Sequence, residues 1–176
     1  MARRRAVLIP GQFYDTRAPL FAYTGETLRR AGFDLHEISW QVPAGLDEDR
    51  SAAWVAEQVA PALTEPTDLL VGKSLGSLAA PLAVDRRLPA VWLTPLLHLP
   101  EVMTALERAT APFLLIGGLA DPTWDAAEAR RLTSHMLEIP DADHSLMVPG
   151  PLVRSADALG RVCLAVDAFV QINRTL

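Results

Sequence analysis

The stretch Asp68-Leu-Leu-Val-Gly72-Lys73-Ser74-Leu75-Gly76-Ser77-Leu78-Ala79-Ala80 constrains the fold more than any other, because a short apolar strand enters Gly-x-Ser-x-Gly and leaves it as a helix-forming run. A chain turns from strand to helix over so few residues only on a sharp, strained bend, and a side chain on either glycine would collide with the neighbouring strand or helix. Such a bend lifts the serine hydroxyl to the carboxyl edge of a sheet. It also aims the first amides of the helix at any anion forming there. Gly72-Lys73-Ser74 matches the end of a phosphate-binding loop as well, but that motif requires a glycine where Thr67 stands, and Leu69 to Val71 are strand-like where its loop should be.

The remainder of the chain alternates strand and helix, the βαβ pattern of a parallel sheet. Candidate strands are Ala6–Ile9, Asp34–Trp40, Asp68–Val71, Ala90–Leu93, Pro112–Gly117 and His135–Ile139, with helices near 18–31, 50–63, 75–86, 99–109, 124–133 and 152–173. No repeat, low-complexity tract or linker interrupts them, so residues 1–176 read as one domain, and 50% hydrophobic residues suffice for a sizeable core. A net charge of −5 argues against a nucleic-acid partner, and Arg3-Arg4-Arg5, the one basic run, reads as a solvated flank. The single cysteine, Cys163, excludes an internal disulfide, reads as a small core hydrophobe and suits a reducing compartment. Ala6–Ile9 is too short for a signal-peptide core and no run approaches membrane-spanning length, so the expected location is cytoplasmic, without a membrane partner. No metal-ligand spacing and no dinucleotide fingerprint appear, so neither metal nor cofactor is expected.

If Ser74 is a nucleophile, an orienting acid and then a base should follow it in the chain. Asp121 lies just beyond the apolar run Pro112–Gly117, and His144 lies in the loop after His135–Ile139, so three loops can converge on one sheet edge. Asp125, Asp141 and Asp143 are rivals for the acid, because only geometry identifies the orienter. His36 and His135 fall in or at strands, and His98 is better suited to lining a pocket than to acting as base. Oxyanion donors would be the amide of Leu75 and one from the loop Pro10-Gly11-Gln12-Phe13-Tyr14, with Gln12 the choice by position after Pro-Gly. Phe13, Tyr14, Thr94, Leu96 and His98 are candidates for the substrate pocket, or packing residues. Lys73, the only lysine, is assigned no catalytic role, its scarcity being consistent with a coding bias toward arginine.

Taken in order, strand-Gly-x-Ser-x-Gly-helix, strand-Gly-Gly-x-x-Asp-Pro and strand-Asp-x-Asp-His resemble the α/β-hydrolase superfamily over residues 6 to 174, and the Gly-Lys-Ser-Leu-Gly turn is similar to that of its small, lidless members. The resemblance implies a minimal α/β-hydrolase fold: about six mostly parallel strands, helices on both faces, no lid domain and an open site beside the short segment Thr94–Pro100. It implies Ser74 as nucleophile, His144 as base and Asp121 as acid. Pro10-Gly11 stands where many members have His-Gly, which leaves the second oxyanion donor open by one residue. The activity implied is hydrolysis of an ester or thioester of a small acyl substrate through an acyl-enzyme, without a cofactor. An acyltransferase, cyclase or lyase on the same residues is the alternative within enzymes, and a non-catalytic interaction protein the alternative outside them.

Overall fold

The computed structural model describes residues 4–173. Six strands, β1 (Arg4–Ile9), β2 (Phe33–Glu37), β3 (Leu69–Lys73), β4 (Ala90–Leu93), β5 (Phe113–Gly118) and β6 (Met136–Ile139), form one sheet in the order β2-β1-β3-β4-β5-β6. Every pairing is parallel. The central strands β3, β4 and β5 are buried along their whole length, as unbroken apolar runs must be when helices cover both faces of a parallel sheet.

Helices α1 (Pro19–Arg30) and α6 (Leu152–Ile172) cover one face, packing Phe21, Leu28, Val162 and Phe169 against Leu8, Val71, Leu93 and Ile116. Helices α2 (Glu48–Val59), α3 (Ala80–Arg86), α4 (Pro100–Arg108) and α5 (Ala126–Leu132) cover the other, where Val55, Ala83, Val102 and Ala129 meet Val7, Leu70, Trp92 and Leu115. Strand order reverses at the β1/β3 pair: from β1 the chain moves outward to β2, and from β3 it moves the opposite way. The loops after these two strands therefore part at the carboxyl edge and leave a crevice, the usual ligand position in open α/β sheets.

Several boundaries differ from expectation for identifiable reasons. The second strand ends at Glu37, not Trp40, because only Ile38 donates one further ladder bond, to Leu8 at 3.0 Å, before the chain swings toward the crevice. The helix expected over 75–86 starts as a 3₁₀ turn, Ser74–Ala79, and becomes α-helical only at Ala80, with Pro81 in the first α-turn where its missing N–H leaves nothing unpaired. Likewise 50–63 divides into α2 and a 3₁₀ turn, Ala60–Leu63, that contains Pro61.

Arg4 and Arg5 are not a solvated flank, and Arg3 lies outside the described residues. The first strand begins at Arg4, so both side chains lie along the sheet: Arg4 covers the Phe33 ring at 4.1 Å, and Arg5 donates to the Ala62 carbonyl and the Thr67 hydroxyl, each at 2.8 Å. Cys163 is half-buried rather than core, because α6 turns Val162 and Val166 inward and Leu164 out. Only six residues, 94–99, join β4 to α4, so no lid domain is inserted there. Among the described residues no helix is long and apolar enough to cross a membrane.

Candidate active site

The bend after β3 depends on both of its glycines. A Cβ on Gly72 would stand 2.6 Å from the Trp92 ring and 2.8 Å from the Gly76 carbonyl oxygen; one on Gly76 would stand 2.6 Å from the Ile9 carbonyl oxygen, in the backbone of the adjacent strand. Ser74 between them has φ 50°, a left-handed conformation that serine rarely adopts. Its carbonyl accepts the Ser77 hydroxyl at 2.6 Å, and that hydroxyl accepts the Leu96 amide at 3.1 Å, tying the bend to the loop after β4. Nothing in the sequence pattern singled out Ser77.

The three loops do converge. His144 Nε2 is 2.8 Å from Ser74 Oγ, and His144 Nδ1 is 2.7 Å from Asp121 Oδ2. Asp121 is 3% exposed, and its Oδ1 accepts both the amide and the hydroxyl of Thr123, at 2.8 and 2.7 Å. Burial pushes the Asp121 carboxyl up, but the hydrogen bonds from His144 and Thr123 together outweigh burial and hold it below its usual range. The Thr123 hydroxyl also lies 3.1 Å from His144 Nδ1.

The three rival carboxylates are engaged elsewhere. Asp125 caps α5 by accepting the amides of Ala127 and Glu128. Asp141 pairs with Arg154 at 3.4 Å. Asp143 accepts the amides of Ser145 and Met147, at 2.8 and 2.9 Å, and so folds the loop that carries His144.

Two peptides adjoin Ser74. Leu75 lies in the first turn of the 3₁₀ segment, where its amide has no intrahelical acceptor. A Cβ on Gly11 would lie 3.5 Å from Ser74 Cβ, so the loop after β1 sits against Ser74. The Gly11 carbonyl accepts the Trp40 indole at 3.0 Å, and Trp40 packs on Trp54 with ring centroids 5.1 Å apart. Across a trans peptide the Gln12 N–H points opposite that carbonyl, and it makes no hydrogen bond among the described residues. Trp40, read in the sequence as strand, instead fixes this peptide.

The expected pocket residues divide. Tyr14 is half-buried and its hydroxyl accepts the Leu20 amide at 3.0 Å, whereas Phe13 is 93% exposed. Thr94 is not a pocket wall: it is fully buried beneath the loops, with φ 42°, and its hydroxyl accepts from Lys73. His98 is exposed between β4 and α4 and makes no side-chain hydrogen bond among the described residues, so it does not join Ser74, Asp121 and His144 either. Lys73, given no role from the sequence, is 2% exposed and donates to the Thr94 hydroxyl at 3.0 Å and the His144 carbonyl at 3.1 Å. The readable signal was a lone lysine directly before Ser74 in a chain that otherwise uses arginine.

No family model and no curated protein matches the sequence. Solved structures do. Est1E from Butyrivibrio proteoclasticus superposes with a TM-score of 0.74 at 14% identity, covering 99% of this chain and 89% of that one. A dienelactone hydrolase from Anabaena variabilis matches at 0.66 and 20% identity, over 97% of this chain and 86% of that one. A serine hydrolase without a lid from Xanthomonas campestris matches at 0.61 and 14% identity, over 96% and 84%. Agreement across nearly the whole of each chain shows that this protein has the α/β-hydrolase fold, and the six residues between β4 and α4 give it a lidless form.

Proposed function

We propose that the protein is a serine hydrolase that cleaves an ester or thioester through an acyl-enzyme. The observation that carries this reading is the continuous hydrogen-bonded chain from Ser74 Oγ through the His144 ring to buried Asp121, assembled from three loops with no other visible purpose. Ser74 Oγ attacks the substrate carbonyl carbon as His144 Nε2 takes its proton, and Asp121 accepts the Nδ1–H and stabilises the resulting imidazolium. The amides of Leu75 and Gln12 receive the oxyanion. Collapse breaks the bond to the leaving alkoxide or thiolate, which takes the proton from Nε2. Water then attacks the acyl-enzyme, gives its proton to His144, and the acid departs as Ser74 regains a hydrogen. The Anabaena and Xanthomonas neighbours are hydrolases, in agreement with this chemistry, and the missing lid leaves water free to act as acceptor rather than a second alcohol.

A recess of about 230 Å³ lies between Tyr14, Pro19, Leu20, Leu146, Met147 and Leu159. Tyr14 belongs to the oxyanion loop and Leu146 to the base loop, so the recess opens where a small apolar acyl or alcohol group would fall. A lone half-buried cysteine fits work in a reducing cytoplasm.

A fluorophosphonate probe tests the reading. Ser74 should be labelled, and Ser74→Ala should lose labelling and at least ~10³-fold in turnover of a short aryl ester, with the fold intact by circular dichroism. Native protein that stays unlabelled and hydrolyses none of a panel of acyl esters and thioesters overturns it.

A further inference from the structure

Burying an ammonium is costly unless each of its protons meets an acceptor. The Lys73 ammonium meets that condition: it donates to the His144 carbonyl at 3.1 Å and to the Thr94 hydroxyl at 3.0 Å, and it lies 4.7 Å from the centroid of the Tyr14 ring. These partners come from the loops after β6, β4 and β1, while Lys73 itself ends β3, one residue before Ser74. Thr94 presents its hydroxyl from φ 42°, a conformation that a β-branched residue holds only under constraint, with its amide fixed on the Ile116 carbonyl at 2.7 Å. The charged groups facing the ammonium are Asp121, after β5, and Asp143, in the base loop.

We propose that Lys73 is the positioning residue of the base loop: from the end of the nucleophile's own strand its ammonium grips the main chain of His144, sets the separation of His144 from Ser74, and does so most firmly while protonated. The inference rests on the serine-hydrolase reading for its effect on turnover. As an ammonium Lys73 donates to all its partners with the strength of a charged donor; as the neutral amine it keeps two N–H groups, its lone pair can take the Thr94 hydroxyl proton, and its bond to the His144 carbonyl loses the charge that strengthens it. Burial pulls the ammonium down to about 8, against the pull of the Asp121 and Asp143 carboxylates in the other direction. Below that value the grip is charge-assisted; as pH rises through it the grip weakens and turnover falls. Neutral histidine with ionised aspartate has no falling limb of its own there.

Fold stability should move the opposite way. With the folded value below that of the unfolded chain, the unfolded state holds more protons between about 8 and the ordinary lysine range, so stability rises with pH across that window. Lost activity is thus separable from unfolding.

Because Lys73 is the only lysine, protein labelled with [ε-¹³C]lysine gives one side-chain signal. Its titration is to be followed between about pH 6 and 10, together with the ¹³C shift of the His144 carbonyl, kcat/KM for a short aryl ester and the melting temperature. A common midpoint near 8 is expected for the lysine signal, the carbonyl shift and a fall of roughly tenfold or more in kcat/KM, with no drop in melting temperature. Lys73→Met should lose the falling limb and lower kcat about 10- to 100-fold at neutral pH with KM little changed, and Lys73→Arg should move the limb out of range. Turnover that stays flat through the lysine midpoint, or full kcat in Lys73→Met, overturns the proposal. Absence of any ester turnover would remove the serine-hydrolase reading alone; a His144 carbonyl shift indifferent to the lysine titration would then still overturn this one.

Discussion

Of the five non-glycine residues that hold a left-handed backbone among those described, Ser74, Thr94, Asp141 and Leu146 lie just after β3, β4 and β6, while only Arg87, which ends α3, lies away from that edge. Conformations of this kind cost on the order of 1–3 kcal/mol and persist where surroundings leave no alternative, so the strain of this molecule is gathered around Ser74 and His144. The two aspartates nearest His144 should respond differently to loss of charge. Asp121→Asn offers Nδ1–H a weaker acceptor and favours the wrong tautomer, and should cost about 10³- to 10⁴-fold in kcat. Asp143→Asn keeps an amide oxygen for the Ser145 and Met147 amides and should cost less than about tenfold. Steady-state turnover of one soluble ester decides between them, and a silent Asp121→Asn beside a dead Asp143→Asn would reverse the assignment of the acid. That Ser74, Asp121 and His144 meet was legible because chain order and loop position follow from the architecture. Lys73, Thr123, Ser77 and Trp40 were not, because what they do depends on partners reached only across the fold, as when Lys73 meets a carbonyl 71 residues away.

Among the elements, the 3₁₀ turn Ser74–Ala79 matters most, since it lets Ser74 take up its bend while Gly76 slides under the end of β1. Gly76→Ala pushes a methyl group into the Ile9 and Pro10 carbonyl oxygens, and backbone cannot swing aside as a side chain can. Thermal or urea denaturation should show a loss of about 1–3 kcal/mol or more, and fluorophosphonate labelling of Ser74 should fall with it. A variant of unchanged stability and labelling would mean that the bend tolerates a side chain there. Strand content was legible throughout: β4 has the expected bounds and the other five shift at their ends. The ends moved where a distant contact outcompeted local pattern. Ile38-Ser39-Trp40 alternates like a strand, yet Trp40 leaves the sheet because its indole binds the Gly11 carbonyl and its ring packs on Trp54.

For the molecule as a whole, reversal of strand order at β1/β3 puts the loop after β1 and Ser74 on either side of one crevice, and the six-residue link from β4 to α4 inserts no lid domain beside it. Hydrolysis of a short ester should therefore rise smoothly with concentration through the substrate's solubility limit, with no jump at a lipid–water interface. Kinetics across that limit would reveal a cover, for instance one swung from exposed Phe13, as a sharp activation. The solitary lysine has a practical corollary for anyone attaching this protein to something else. Arginine supplies every other cationic side chain apart from histidine, and the one side-chain amine is sealed inside the fold. Amine-directed reagents, which normally decorate a surface at random and blunt an enzyme in proportion, would find no such group in reach while the protein stays folded. Such a reagent would therefore leave the side chains of the folded domain unmodified.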